Sequence, residues 1–332
     1  MSGAYPWLVA DIGGTNARFG WVSAPGSNVE HVRVLPVDQH KDPASAARAY
    51  LQELQNLLPG APAPRSGAFA VATAIAGDQI ELTNAHWSFS RAATQADLGL
   101  DLLLMLNDFE ALALSLPRLQ AAQLRAWPAA QAQAGKGPTL AVIGPGTGLG
   151  VGGVTRTGGT HGIWLALPGE GGHATLAAGD DFEAALLAHV RGSFEHVSAE
   201  RLLSGIGMPV LHGAVAAVLG SAQVPVLSTE QIVAQGLSGQ DPVCERTLDA
   251  FCALLGSFAG NVALTLGARG GVYIGGGIVP RLGERFFASA FRERFEAKGR
   301  FRSYLEAIPT PLITDTLAAL AGAALAIEQA QA

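Results

Sequence analysis

Asp11-Ile12-Gly13-Gly14-Thr15-Asn16 sets a carboxylate directly against two glycines and a hydroxyl, with the apolar run Trp7-Leu8-Val9-Ala10 before it and Ala17 to Val22 after it. This pattern reads as strand, tight turn, strand. Glycines let backbone N–H groups come close to a phosphate, and Thr15 adds a donor. An acid beside such a turn repels phosphate unless a cation intervenes. Asp11 therefore reads as a Mg2+ partner acting through water, because Mg2+ keeps several waters. The same letters also describe an ordinary hairpin with an exposed Asp.

A second copy of the layout follows further along. Leu140 to Ile143 leads into Gly144-Pro145-Gly146-Thr147-Gly148-Leu149-Gly150, and Val151 to Thr155 returns. This turn is not a P-loop, because no Lys followed by Ser or Thr comes after the glycines. It is not a dinucleotide fingerprint either, since a strand rather than a helix follows it. Two such turns in one chain read as two related α/β halves. A third glycine run, Gly275-Gly276-Gly277, ends a strand at Val272-Tyr273-Ile274. It either lets a flat ring or ribose lie on the backbone or makes a strand-to-helix turn with positive φ.

Between these turns the chain alternates. A strand is expected over Val29 to Pro36 and a helix over Pro43 to Leu57, where Ala46, Ala47, Tyr50, Leu51 and Leu54 fall at helical spacing. Strands follow at Ala68 to Ile75 and Leu102 to Leu106, then a helix from Phe109 towards Leu116, stopped by Pro117. Helices are expected at Phe182–Val190, Pro209–Leu219, Val243–Gly267 and Arg281–Lys298, with a final helix from about Asp315. These boundaries place residues 1–117 plus about 315–332 in a small α/β domain and 118–314 in a larger one.

Polar residues gather at the predicted strand ends. Asn107-Asp108 stands where a strand gives way to a helix, the edge at which open α/β sheets bind ligands. Asp108 there either takes a proton from a substrate hydroxyl or caps the helix. In Glu170-Gly171-Gly172-His173, two glycines hold the backbone open between a carboxylate and an imidazole. Glu200 follows Ser198 in a stretch that also resembles a helix N-terminus. Together these groups suit a polyhydroxylated ligand, because carboxylates accept paired hydrogen bonds from adjacent hydroxyls.

Composition narrows the class. With 332 residues, about two domains are expected. A 49% hydrophobic, 14% charged chain is not a disordered one. A net charge of -6 argues against general affinity for polyanions, so no nucleic-acid partner is expected. Cys244 and Cys252 lie eight apart in a predicted helix, roughly 12 Å along its axis, too far for a disulfide. They read as buried thiols in a reducing compartment. No signal peptide pattern opens the sequence, and the apolar run Leu317 to Ile327 is too short to span a bilayer, so the expected location is the cytoplasm, with no membrane partner.

In chain order, Asp11 to Asn16, Leu106-Asn107-Asp108-Phe109, Gly146 to Gly150, Gly169 to His173, His196 to Arg201, Gly276 to Arg281 and Lys298-Gly299-Arg300-Phe301 resemble the bacterial glucokinase family. The resemblance runs from residue 8 to about 325, and the ordered set is far more specific than any one motif. It implies an actin-like ATPase (ribonuclease H-like, hexokinase-type) fold, two α/β domains around a deep cleft, paired as a homodimer. The implied reaction is transfer of the terminal phosphate of ATP to the 6-hydroxyl of glucose, with Mg2+. Asp108 would be the catalytic base, and Asn107, Asp108, Glu170, His173 and Glu200 would bind the sugar. Asp11, Gly13, Gly14, Thr15 and Asn16, with Gly146, Thr147 and Gly148, would hold the Mg-ATP phosphates, and Gly275, Gly276 and Gly277 would lie near adenosine.

The cysteine-rich zinc motif of the repressor and open-reading-frame kinase family is absent, and Ala74-Ile75-Ala76-Gly77 lacks the proline common in that loop of sugar kinases. Two other classes compete. A sugar-responsive regulator needs a DNA-binding extension, and the first turn begins at residue 11, leaving no room before it for a helix-turn-helix. The basic stretch Arg281 to Arg302 is amphipathic through Leu282, Phe286, Phe291 and Phe295, and reads as a solvated helix face. An actin-like ATPase with a protein partner explains the turns but gives Glu170, His173 and Glu200 nothing to do.

Overall fold

The computed structural model describes residues 5–82, 85–127, 137–158, 162–221 and 225–332. The chain divides into two compact units. The first comprises Met1–Leu119, Thr157–Ala166 and Asp315–Ala332, and the second Gln120–Arg156 and Leu167–Thr314.

In the first unit the strand order is Glu30–Pro36, Asn16–Val22, Trp7–Ile12, Ser66–Val71, Leu102–Asn107. Trp7–Ile12 and Ser66–Val71 are almost wholly buried, as expected of central strands covered on both faces. Trp7–Ile12 runs antiparallel to Asn16–Val22 and parallel to Ser66–Val71, which is in turn parallel to Leu102–Asn107. Ile12, Val71 and Asn107 lie in register across the three strands. The turn after Ile12 and the helix after Asn107 therefore leave the same sheet edge, about 10 Å apart at the usual strand spacing.

The helix Pro43–Leu57 forms where the apolar spacing predicts it. Asp42 caps it, accepting from Ser45 N at 2.7 Å, and Pro43 occupies the first turn, where its missing N–H costs nothing. Its buried face carries Ala46, Ala47, Tyr50 and Leu54. Phe19 lies between Tyr50 and Phe69, with ring centroids 5.7 and 5.9 Å away. Thr157–Ala166 is tied to this unit by Gln329, which accepts from Trp164 N at 2.6 Å and donates to Trp164 O at 2.9 Å. The terminal helix Ala318–Gln331 packs on Asp108–Ser115 so closely that a Cβ at Gly322 would collide with the Ala111 carbonyl.

The second unit repeats the central arrangement. Leu149–Arg156 is antiparallel to Thr139–Pro145, which pairs in parallel with Gly271–Ile274. The helix Pro242–Leu266 supplies much of its core through Phe251, Leu254, Leu255 and Phe258. That helix is long and apolar enough to cross a membrane, and 72% of its apolar window is buried in the folded chain, the pattern of a core helix. Cys244 and Cys252 are free and buried on it. Burial pushes their thiols up to about 11 and about 12, which leaves them protonated and unreactive.

The predicted helix Arg281–Lys298 is instead three short ones, Val279–Leu282, Glu284–Ala288 and Phe291–Glu296. Gly283, at φ 55°, breaks the first from the second, and extended Ser289 ends the second. The breaks let Phe286, Phe291 and Phe295 all reach the core. A Cβ at Gly256 would strike the Phe291 carbonyl. The solvated face that the sequence pattern predicts forms only in part: Arg281, Arg300 and Arg302 are exposed, while others are drawn inward. Arg292 is buried and donates to the carbonyls of Leu305, Glu306 and Ile308, Arg294 pairs with Glu183 and Asp180, and Lys298 donates to Ser257 O and Asn261. Glu296, whose Oε1 accepts from Arg292 Nε at 2.6 Å, together with charge–carbonyl bonds to a helix end, explains why the Arg292 cation tolerates burial.

The close helix contact at Gly322 yields a prediction. Gly322→Ala should destabilise the chain by roughly 1–3 kcal/mol through overpacking, lowering the urea midpoint. A midpoint equal to that of the parent would show that the two helices can part at no cost.

Candidate active site

The first half of the candidate site rests on the sheet edge of the first unit. The hairpin register sets Asp11 directly opposite Arg18, and Arg18 Nη1 lies 3.0 Å from Asp11 Oδ2. The Asp11 side chain is 15% exposed and that of Arg18 is 32% exposed, so the acid is largely removed from water while its partner is not. Burial raises the Asp11 pKa above its ordinary 3.8, and the guanidinium holds it down only in part. The turn itself is closed by Gly13 N donating to Asn16 O at 2.9 Å, and Thr15 is exposed at its tip.

Asn107 and Asp108 open the helix Asp108–Ser115. Asn107 is the cap: its Oδ1 accepts from Phe109 N at 2.9 Å, and Asp108 Oδ1 accepts from the same N–H at 2.9 Å. Glu110 reaches back to Asn107 N at 3.3 Å, completing a capping box, and burial raises the Glu110 pKa. The Asn107 amide also donates to Thr73 O at 3.1 Å, which fixes its rotamer from a second strand end.

The second unit brings three segments together. Gly146 N donates to Gly148 O at 2.8 Å, closing the turn, and Gly205 N donates to Gly146 O at 2.7 Å. Glu200 N donates to Gly172 O at 2.9 Å, and a Cβ at Gly172 would collide with the Leu149 carbonyl. Glu200 Oε2 accepts from Leu149 N at 2.8 Å, while its Oε1 lies 3.9 Å from His173 Nδ1. Glu200 is thus half-buried between the turn and the Glu170–His173 loop, where His173 and Glu170 are exposed. Glu200 does not stand at a helix N-terminus: Ser198 bridges to Thr175, residues 199–207 are bends and turns, and the next helix begins at Met208.

Gly275 to Gly277 follow the strand that pairs with Thr139–Pro145. Gly275 N donates to Ile143 O at 2.8 Å, and Ile278 N donates to Pro145 O at 3.1 Å, so this run and the Gly146 turn share one edge. Gly276 takes φ 75°, and a Cβ there would strike the Pro145 backbone. A Cβ at Gly146 or Gly277 would meet nothing within 4 Å. Open space over turns rich in backbone N–H groups fits a phosphate-bearing ligand. One well-held carboxylate at Asp11 fits Mg2+, which draws its other ligands from water and substrate phosphates. Among the described residues no group of three or more His, Cys, Asp or Glu forms a metal cage.

The family model described as Glucokinase matches residues 8–330. The chain belongs to the glucokinase family. It is 48% identical to a glucokinase of Aromatoleum aromaticum over 331 residues, which covers 100% of this chain and 97% of that one. It is 46% identical to a glucokinase of Neisseria meningitidis, covering 98% and 95%. The crystal structure of glucokinase from an Antarctic psychrotroph superposes with a TM-score of 0.88 at 38% identity, covering 98% of this chain and 99% of that one. The glucokinase fold is of the actin-like ATPase type, as the resemblance implies, and the chain is an ATP-using glucose kinase.

Within this glucokinase framework, sequence reasoning missed Arg18, Glu110 and the Leu149 amide as partners of the candidate groups. A register count across the Gly13-Gly14 hairpin would have found Arg18, and the Asn-x-x-Glu spacing from Asn107 to Glu110 is a capping-box signature. Nothing local announces the Leu149–Glu200 bond, because its ends are 51 residues apart.

The raised pKa of Asp11 has a sign that stability measurements can check. The folded state holds that proton more tightly than the unfolded chain. Its contribution is therefore full below the ordinary 3.8 and is lost as pH rises through the folded value. Asp11→Asn, which cannot ionise, should gain stability relative to the parent as pH rises through that window. Urea titrations of both proteins at pH 4 and pH 7 test this, and a relative stability that falls with pH would reverse the assignment.

Proposed function

We propose that this chain phosphorylates D-glucose at its 6-hydroxyl with the roles that follow. Asp108 is the catalytic base, accepting the hydroxyl proton as the sugar oxygen attacks the γ-phosphorus of ATP. The new O–P bond forms as the bond to the ADP oxygen breaks. Asn107, Asp108, Glu170, His173 and Glu200 bind the sugar hydroxyls. Gly13, Gly14, Thr15 and Asn16, with Gly146, Thr147 and Gly148, present backbone and hydroxyl donors to the phosphates, and Gly275 to Gly277 lie against adenosine. Asp11, steadied by Arg18, would hold Mg2+ through water, and the ion when bound neutralises charge on the phosphate oxygens.

The observation that carries this reading is the cluster of Glu200, His173 and the Gly146 turn. A carboxylate and an imidazole suited to sugar hydroxyls are bonded into the same small structure as a phosphate-type turn. Asp108 supports it from the first unit, standing on a helix whose cap is fixed by Asn107, Glu110 and Thr73. Such fixed placement is what a general base requires. The working enzyme in this reading is a cytoplasmic homodimer, each chain built from a small domain and a larger one as the sequence suggests, except that Thr157–Ala166 belongs with the small one.

Two measurements test the assignment. ADP release from Mg-ATP should depend on glucose and be matched by glucose 6-phosphate. Asp108→Ala should lower kcat by about 10²–10⁴-fold while changing the glucose dissociation constant only a few-fold. Turnover near that of the parent in this variant would remove Asp108 from the role of base.

A further inference from the structure

Glu200 serves two neighbours at once. Its Oε2 accepts the Leu149 amide at 2.8 Å, at the point where the Gly146-Thr147-Gly148 turn enters the returning strand. Its Oε1 lies 3.9 Å from His173 Nδ1, on the side of the loop assigned to the sugar. The backbone around it leaves little freedom. Glu200 N donates to Gly172 O at 2.9 Å, Glu200 O accepts from Ser204 Oγ at 2.7 Å, and Gly207 packs against that carbonyl with no room for a Cβ.

We propose that Glu200 couples the two substrates within the second unit: a sugar drawn to Oε1 and His173 orders the Leu149 end of the phosphate turn through Oε2. This rests on the reading of Glu200 as a sugar ligand and adds that the same carboxylate sets the turn's geometry. A carboxylate–amide bond is charge-assisted and about twice as strong as a neutral one, so it transmits displacement of either end. Linkage then makes the effect reciprocal: nucleotide phosphate on the turn tightens sugar binding by the factor with which sugar tightens nucleotide binding.

Gly148 offers a selective way to break the coupling. A Cβ there would lie 2.5 Å from Glu200 Oε2, and that oxygen is the end of a flexible side chain rather than backbone. Gly148 is also not among the glycines with positive φ, so alanine fits its backbone. Gly148→Ala should therefore push the Glu200 carboxylate off Leu149 N and leave the fold intact. The consequence is unusual for a residue of a phosphate turn: it should weaken glucose binding with no nucleotide present.

The test is calorimetric titration of glucose into the full chain, parent and Gly148→Ala, with and without Mg-ADP. In the variant, the glucose dissociation constant without nucleotide should rise about tenfold, the size of one charge-assisted hydrogen bond. Any tightening of glucose by Mg-ADP seen in the parent should fall towards none. A variant that binds glucose within twofold of the parent would overturn the coupling and leave the sugar assignment standing. A parent chain that binds no glucose would remove both. Hydrogen exchange on the parent gives a second check that needs no variant: glucose alone should slow exchange in the peptide spanning residues 146–150. Unchanged exchange with glucose bound would overturn the coupling.

Discussion

Parallel pairing beside a hairpin is the constraint on which the rest of this structure depends. An antiparallel hairpin alone would leave its turn at an arbitrary edge. Once Trp7–Ile12 also pairs in parallel with Ser66–Val71, and that strand with Leu102–Asn107, all three carboxyl ends must emerge together. The turn at Gly13-Gly14 and the helix beginning at Asp108 become neighbours for reasons of hydrogen-bond register, before any side chain is considered. The second unit meets the same condition with Thr139–Pro145 and Gly271–Ile274, and the Gly146 turn and the Gly275 run are brought to one edge.

Glycine makes that edge narrow enough to be useful. Gly172 against the Leu149 carbonyl and Gly276 against Pro145 are places where two backbones approach more closely than any Cβ permits. Gly276 has a further reason in its φ of 75°. By contrast, Gly146 and Gly277 face open space, so their lack of a side chain serves access rather than packing. One residue type thus does two opposite jobs within a few ångströms. Sequence alone could not separate them, because letters do not record what stands opposite.

The same distinction decides how much was legible beforehand. The glycine turns, the buried strands (except that the one expected over Ala68 to Ile75 runs from Ser66 to Val71) and the helix Pro43–Leu57 were readable, because each carries its own signal: a motif, an apolar run, or a capped periodicity. The helix expected over Arg281–Lys298 failed on Gly283 and the extended backbone at Ser289, where reaching the core with three phenylalanines outweighs helix continuity. Arg281 is exposed as the pattern suggests, but Arg292 is buried, held by Glu296 one turn away and by carbonyls 13 to 16 residues away that the sequence does not announce. The short strands Leu124–Arg125 and Leu312–Ile313 went unseen for the same reason, because two residues have no periodicity. For the candidate site residues, the sequence supplies their types, and the structure adds the partnerships that the sequence does not show.

Those partnerships answer an electrostatic difficulty that the motifs themselves create. A carboxylate placed about 4 Å from a phosphate charge is opposed by roughly 4 kcal/mol at the effective dielectric of a protein surface. Asp11 and Glu200 each adjoin a turn that the proposed function gives to phosphate, and each is offset differently. Asp11 faces a full cation, Arg18, across the hairpin, a partner supplied by strand register and about one-third open to water. Glu200 is held by a backbone amide, which fixes its position and removes little of its charge. The first arrangement suits an acid that must sit beside a metal–phosphate group without repelling it. The second suits an acid whose charge is kept for another ligand, and sugar hydroxyls, as neutral donors, are the partners such a carboxylate can accept without neutralisation.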